Sequence, residues 1–550
     1  MSITRHTDSV TSLSEVRPAA ADHLNSQPGA APKAGLADLP PLTARGRRFV
    51  LVTASAACSL TVLDANVVAV SLPAIARSFH ATFADVEWVV SAYMVAFASC
   101  LLAAGGLADR IGRKKTLMLG LAVFSLASLG CGLAPSMFIL NVARAAKGFG
   151  AAMFLTSALA VIAHTFHEGQ ERARAWAVWG TCMGLATTAA PLIGGAITQW
   201  IGWRWIFLLN LPVCAVLAVC VKTGIRDSFN PNAGAVDVLG SVLFGAGLSL
   251  GIWGLIGAPG DGWESMPTVL RFAGCVLLLA GFVQVERLKQ HPMIDLALFR
   301  QPRFVAAVLA MFGYAACAQV MMTFLPLYLQ NAFGLSSIAA GLGMLPFAIA
   351  MIVGPHAGSA LGTRIRSHSV LTTGLLLIGA GNLATAFVAG DARYLLVAIG
   401  MLLTGLGAGI LNGDTQKAIM ACVPTNRTGM ASGISTTTRF TAIVTSVGVL
   451  GAVLAARTRV GLDSSAAAIS GSGVRLGADF LSSVLAGDVV QATAHLPPEA
   501  RMAIEHAARV SFAGGFASAL CVAGVLAMVI AAGVWILSSR REGPDARRTG

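Results

Sequence analysis

Charge is what this chain has least of. Asp, Glu, Lys and Arg make up only 11% of its 550 residues, against about 25% in a soluble domain. With 56% hydrophobic residues and a mean hydropathy of +0.74, a large soluble core is excluded. The chain reads as a polytopic membrane protein. Its ten cysteines are scattered and form no C-x-x-C pair, which argues against a disulfide framework and a structural zinc site. No G-x-x-x-x-G-K-[ST] loop occurs, and no soluble stretch could hold one, so ATP-driven pumping by this chain is disfavoured. No cluster of His or Cys marks a membrane enzyme, and no loop resembles an ion filter. The first 45 residues lack an apolar segment and are rich in Ala, Pro, Ser and charge. They read as a disordered cytoplasmic tail, not a cleaved signal peptide.

What is abundant is long apolar runs. A membrane helix needs about 20 such residues. Fourteen windows qualify, at 49–72, 86–107, 116–134, 138–165, 175–200, 204–222, 236–257, 269–287, 304–330, 338–362, 369–390, 393–418, 430–456 and 514–538. The net charge of +13 falls mostly in alternate connections. These hold Arg110, Arg113, Lys114 and Lys115; Arg172 and Arg174; Lys222 and Arg226; Arg287, Lys289, Arg300 and Arg303; Arg364 and Arg366; Lys417 and Arg427; and finally Arg540 and Arg541. The intervening short loops hold few basic residues, Arg77 and Arg393 among them. This is the positive-inside pattern with both termini cytoplasmic, and it explains the basic excess without nucleic-acid binding.

Spans 7 and 8 stand between two sets of six, the arrangement of a transporter built from two related halves. The expected organisation is a cytoplasmic tail over 1–45, an N-terminal six-helix half over 46–230 and two extra central helices over 231–303. A C-terminal six-helix half over 304–540, including a long extracytoplasmic loop at 457–511, and a cytoplasmic tail over 541–550 complete the chain. The fold class is therefore an all-α polytopic membrane protein with fourteen transmembrane helices. A transporter is favoured over a channel, receptor or membrane enzyme on these grounds alone.

The loop after span 2 reads "GGLADRIGRKKTL" over residues 105–117. Gly105 would permit close helix packing, Asp109 can accept hydrogen bonds near a helix terminus, and Arg110, Arg113 and Lys114 hold the loop in the cytoplasm. By composition it could be only an anchor. The spacing G-x-L-x-D-R-x-G-R-K, through Gly112, resembles the signature loop of the major facilitator superfamily. "RAAKGFGAA" (Arg144 to Ala152) is similar to that family's R-x-x-Q-G-x-G-A-A motif, with Lys147 where glutamine is usual. "GLATTAAPLIGG" resembles its antiporter motif G-x-x-x-G-P-x-x-G-G: Gly184, Pro191, Gly194 and Gly195 are kept, and Ala190 replaces a glycine. "LDANVVAVSLPAI", "WRWIFLLNLP" and "GMASGISTTTR" resemble stretches of spans 1, 6 and 13 in the fourteen-span drug:proton antiporter branch. The likeness runs from about residue 49 to 540. Without it, the glycines could be ordinary packing positions and Pro191 a kink.

The resemblance implies a proton-coupled carrier in the bacterial cytoplasmic membrane that exports a small amphipathic drug or antibiotic. A lipid, siderophore or endogenous metabolite is the alternative cargo. Its energy would come from the proton gradient, with no cofactor, no metal and no nucleic-acid partner. The lipid bilayer is its medium, and a monomer is compatible with the sequence. Intramembrane ionisable residues are rare and usually functional; here they are Asp64, Arg144, Lys147, Asp414 and Arg439. Asp64 lies past the midplane, roughly 22 Å along its helix from Phe49 at 1.5 Å per residue. It can hold a proton because desolvation favours the neutral carboxyl, and can ionise when a cation reaches it. Arg144 would favour that release. The competing reading is a fixed ion pair with Arg144 or another helix, and Lys147 could be a structural partner for a carboxylate. Asp414 and Arg439 are candidates for the substrate or a second proton site. Glu286, beside Arg287, reads as a snorkelling interface residue.

Overall fold

The computed structural model describes residues 43–166, 169–228, 237–289, 294, 296–318, 321–391, 393–423, 428–468, 478–486, 489, 493 and 498–539, and every regular element among them is helical. The N-terminal half holds α1 (Ala44–Phe79), α2 (Phe83–Ile111), α3 (Arg113–Gly132), α4 (Met137–Thr165), α5 (Gly169–Trp200), the short α6 (Trp205–Leu208) and α7 (Asn210–Gly224). Two further helices follow, α8 (Val238–Asp261) and α9 (Met266–Leu288). A 3-10 turn (Leu296–Arg300) leads into α10 (Pro302–Cys317), α11 (Met321–Asn331), α12 (Ser337–Gly343), α13 (Leu345–Gly362), α14 (Ser367–Val388) and α15 (Tyr394–Ala421). The last helices are α16 (Thr428–Ala468), α17 (Ala478–Ala486) and α18 (Pro498–Ser539). Fourteen helical runs among the described residues are long and apolar enough to cross a membrane, as the hydropathy windows require.

Local chemistry sets the helix ends. Thr43 opens α1 by accepting the N–H of Gly46 at 3.2 Å, and α1 closes at His80 in the left-handed region, φ 51°. Two residues later Thr82 and Asp85 form a capping box that starts α2, so the turn between spans 1 and 2 is three residues long. Span 6 is broken between α6 and α7 because Pro212 lacks an N–H and its ring crowds the carbonyl of Leu208. Pro346 separates α12 from α13 in span 10 by the same means.

The two halves repeat one packing scheme. In the N-terminal half α3 lies on α4, α2 on α4 and α1 on α5; in the C-terminal half α14 lies on α15, α13 on α15 and α10 on α16. The halves meet along two equivalent seams, α2 against α16 and α5 against α12. The inter-half hydrogen bonds lie away from the basic loops. Gln330 Nε2 donates to the Val70 carbonyl at 3.0 Å, and Thr188 Oγ1 donates to the Ala348 carbonyl at 3.5 Å. Of the two extra helices, α8 packs on both α2 and α16, and α9 packs on α8. The apolar window of α9 is 11% buried, against 83% for α1, so α9 faces lipid.

Helix replaces loop across much of the 457–511 segment. α16 continues to Ala468 and α18 begins at Pro498. Hydropathy is blind to a helix that leaves the hydrocarbon. Here Arg459 and Asp463 (3.9 Å) and Arg501 and Glu505 (3.4 Å) pair at i,i+4, a spacing that supports helix in water. The tail expected over 1–45 already turns helical at Ala44; its first 42 residues, the 541–550 tail, Arg427, Arg540 and Arg541 lie outside the described residues, as does the side chain of Arg172.

Candidate functional site

Asp64 sits twenty residues into α1, just past the middle of that helix, and is 2% exposed. One carboxylate oxygen accepts from Arg144 Nη1 at 2.9 Å, and the other from Lys147 Nζ at 2.5 Å and Asn210 Nδ2 at 3.1 Å. Arg144 and Lys147 stand three residues apart on α4, so helical periodicity presents both to the same face of α1. The Arg144 Nε–H is spent on the Val89 carbonyl of α2 at 2.8 Å, and its guanidinium lies 4.4 Å from the Tyr93 ring. Lys147 Nζ lies 4.6 Å from the Phe124 ring and 4.8 Å from the Phe207 ring. Arg144 Nη2 has no hydrogen-bond partner. One anion and two cations are thus sealed among aromatic faces, a net excess of one positive charge. Such an arrangement survives in low dielectric only because each charge has a partner.

The C-terminal half is built differently. Arg439 on α16 donates to Asn412 Oδ1 at 3.2 Å, and Tyr314 Oη on α10 donates to the same oxygen at 3.1 Å. The guanidinium carbon is 5.5 Å from the Tyr314 ring, and Arg439 Nε has no partner. Asp414 does not join this group. Lys417, one turn along its own helix, takes it at 3.0 Å, and its carboxylate also lies over Gly358 of α13. The two residues proposed together from the sequence therefore occupy separate sites.

The loop after α2 folds back on its own half. Arg113 pairs with Asp109 at 3.0 Å, and Arg110 is exposed. Gly112 adopts φ 112°, and a Cβ there would lie 2.5 Å from Asp227 Oδ1, so only glycine fits. That same oxygen accepts the Lys114 backbone N–H at 3.2 Å, and Lys114 Nζ donates to the Lys222 carbonyl at 2.7 Å. Gly105 contradicts its reading: a Cβ there meets nothing within 4 Å, so it mediates no close helix contact. Gly184 is likewise open. Gly194 and Gly195 are the tight positions, the first against the Val67 carbonyl of α1 (2.7 Å from an added Cβ) and the second against the Ser337 carbonyl of α12 (2.6 Å). The Pro191 carbonyl in turn is 2.5 Å from where Gly341 would carry a Cβ. The antiporter-like stretch is therefore the α5–α12 seam between the halves.

Several residues escaped the sequence reading. Asn210 and Asn412 are uncharged and gave no signal. Asp227 lies just beyond a span and looked like an ordinary loop acid. Glu286 is no snorkelling residue: it is 2% exposed and accepts the Ile294 N–H at 3.1 Å. Glu87 on α2 is 5% exposed and has no partner for Oε1. It stood one residue inside a hydropathy window and could have been found there.

Comparison with known proteins agrees with the fold. The family model of the Major Facilitator Superfamily matches residues 54–447. The chain is 33% identical over 413 residues to the multidrug resistance protein Stp of Mycobacterium tuberculosis, covering 75% of this chain and 76% of that one. It is 31% identical over 519 residues to the tetracenomycin C resistance and export protein of Streptomyces glaucescens, covering 93% and 95%. Among solved structures it resembles a bacterial homologue of the human lysosomal transporter Spinster in an inward-facing, unoccupied conformation. That likeness has a TM-score of 0.60 at 16% identity over 90% of this chain and 99% of that one, and it speaks to the fold. The fourteen spans, the repeated halves and these matches lead to one conclusion: the chain belongs to the major facilitator superfamily of transporters.

Proposed function

We propose that the chain exports amphipathic drug- or antibiotic-like molecules across a bacterial cytoplasmic membrane in exchange for protons. Export of such compounds is supported by its relatives, which are named for multidrug and antibiotic resistance. The proton step is carried by one observation, the Asp64 cluster. A carboxylate buried between Arg144 and Lys147 is a costly device, and its charge balance changes whenever one proton arrives or leaves. Its partners lie on α1, α4 and α7, so a change of protonation repacks three helices of one half. Rocking of that half against the other then exposes the space between them to alternate sides. Proton and substrate need only favour different states for their fluxes to be coupled.

The reading includes both termini in the cytoplasm, transport without covalent chemistry or cofactor, and a monomer as the working unit. The test is uptake into inverted vesicles loaded with an acid interior. Addition of a transported drug should raise the luminal pH, and collapse of the pH gradient should abolish uphill accumulation. Accumulation that persists without the gradient would overturn the coupling while leaving export intact.

A further inference from the structure

We infer that Glu87 is a proton-binding site that governs closure of the extracytoplasmic seam between the halves. The inference rests on the transporter reading but not on the role of Asp64. Glu87 lies one turn into α2, at the end away from the basic loops. Its carboxyl reaches out of its own half: it lies against Gly451 of α16, where any Cβ would collide with Oε1, and beside the Phe324 ring of α11. Gly451 and Phe324 both belong to the C-terminal half, so the carboxyl is trapped in the seam itself.

Among the described residues no cation is paired with the Glu87 carboxyl and it makes no hydrogen bond, and Ser91, one turn further in, is also buried without a partner. Of the helices packed on α2, α3 carries Arg113, Lys114 and Lys115 at the opposite end, and the side chain of Asp479 on α17 lies outside the described residues. Asp64 of α1 binds both Arg144 and Lys147 of α4 in the sealed cluster. Asp85, on α2 itself, caps its own helix. Asp261 of α8 pairs with Arg271. On α16, Arg439 is held by Asn412 and Arg459 by Asp463, while Arg457 lies on an exposed stretch. Arg77 and His80 stand at the outer end of α1, and α11 carries no charged residue.

An isolated carboxylate in such a place costs several kcal/mol, and the group takes up a proton instead. Separation of α2 from α16 would return Glu87 to external water, where it ionises. Closure of the seam therefore binds one proton from outside, and opening releases it. A single-proton linkage changes the opening equilibrium by up to about tenfold per pH unit.

The experiment is hydrogen exchange on the detergent- or nanodisc-held full chain, read in peptides covering the outer ends of α2 and α16 at pH 6 and pH 8 after correction for intrinsic exchange. Wild type should show more exchange at pH 8. Glu87→Gln, which keeps the shape but cannot ionise, should remain protected at both values. Glu87→Asp should regain the pH response. The proposal is overturned by a wild-type seam that exchanges equally at both values, or by Glu87→Gln keeping the full response. Because no drug or imposed gradient enters the measurement, a failure here is separable from a failure of drug:proton exchange.

Discussion

The two halves share one packing scheme and differ in where they place charge. The N-terminal half concentrates Asp64, Arg144 and Lys147 in a sealed cluster with Asn210. Among the described residues the C-terminal half holds Arg439 against an amide and a tyrosine, and leaves Asp414 to a lysine one turn along its own helix. The packing scheme is shared and the electrostatics are not. One half closes its ionisable groups on one another, and the other presents amide, phenol and guanidinium groups.

Asp64→Asn should break this contrast most severely. It leaves Arg144 and Lys147 buried without an anion, and breaking a buried pair costs about 3–5 kcal/mol. Uphill export should fall to background and the thermal unfolding midpoint should drop, measured by vesicle uptake normalised to protein and by a melting scan. Wild-type accumulation in this variant would make Asp64 a purely structural residue. Arg144→Ala comes next: it removes the hydrogen bond to Val89 as well as an ion pair, so coupling should be damaged, with Arg144→Lys partly active. Lys147→Gln should be milder than Arg144→Ala, because Arg144 alone still balances Asp64. Equal losses in the two variants would mean that both cations are needed.

Asp109→Ala should leave insertion unchanged and slow transport several-fold, since it frees Arg113 and loosens a loop that is otherwise tied to Asp227 and Lys222. Unchanged initial rates would reduce the loop to an anchor. The smallest effect belongs to Asp414→Asn. Its partner Lys417 is exposed, and such pairs are worth about 0–1 kcal/mol, so stability should barely move. A selective loss for cationic over neutral drugs would assign it to substrate attraction.

Much of this was legible from residue order. Fourteen apolar runs and alternating basic loops define the spans, because hydrocarbon tolerates few alternatives to helix. Asp64, Arg144 and Lys147 were legible as rare intramembrane charges, but not as one cluster, since contacts between helices 80 residues apart leave no local trace. Gly105 and Gly184 look like Gly194 and Gly195 in sequence, and only the three-dimensional neighbours separate open glycines from tight ones. The helical ends of the 457–511 segment were hidden because hydropathy reports polarity rather than conformation. Glu87 was overlooked because it stands at the very edge of its apolar window.

The placement of α8 and α9 makes the molecule lopsided towards its solvent. Of the two seams, α2–α16 is roofed on the bilayer side by α8, which is itself screened by α9. Among the described residues neither α8 nor α9 packs on the α5–α12 seam, and α5 is only 33% buried along its apolar window. A solute dissolved in the acyl chains can therefore touch one joint directly and reaches the other only around two extra helices. The joint that faces the acyl chains is closed by backbone packed on backbone, at Pro191, Gly195, Ser337 and Gly341.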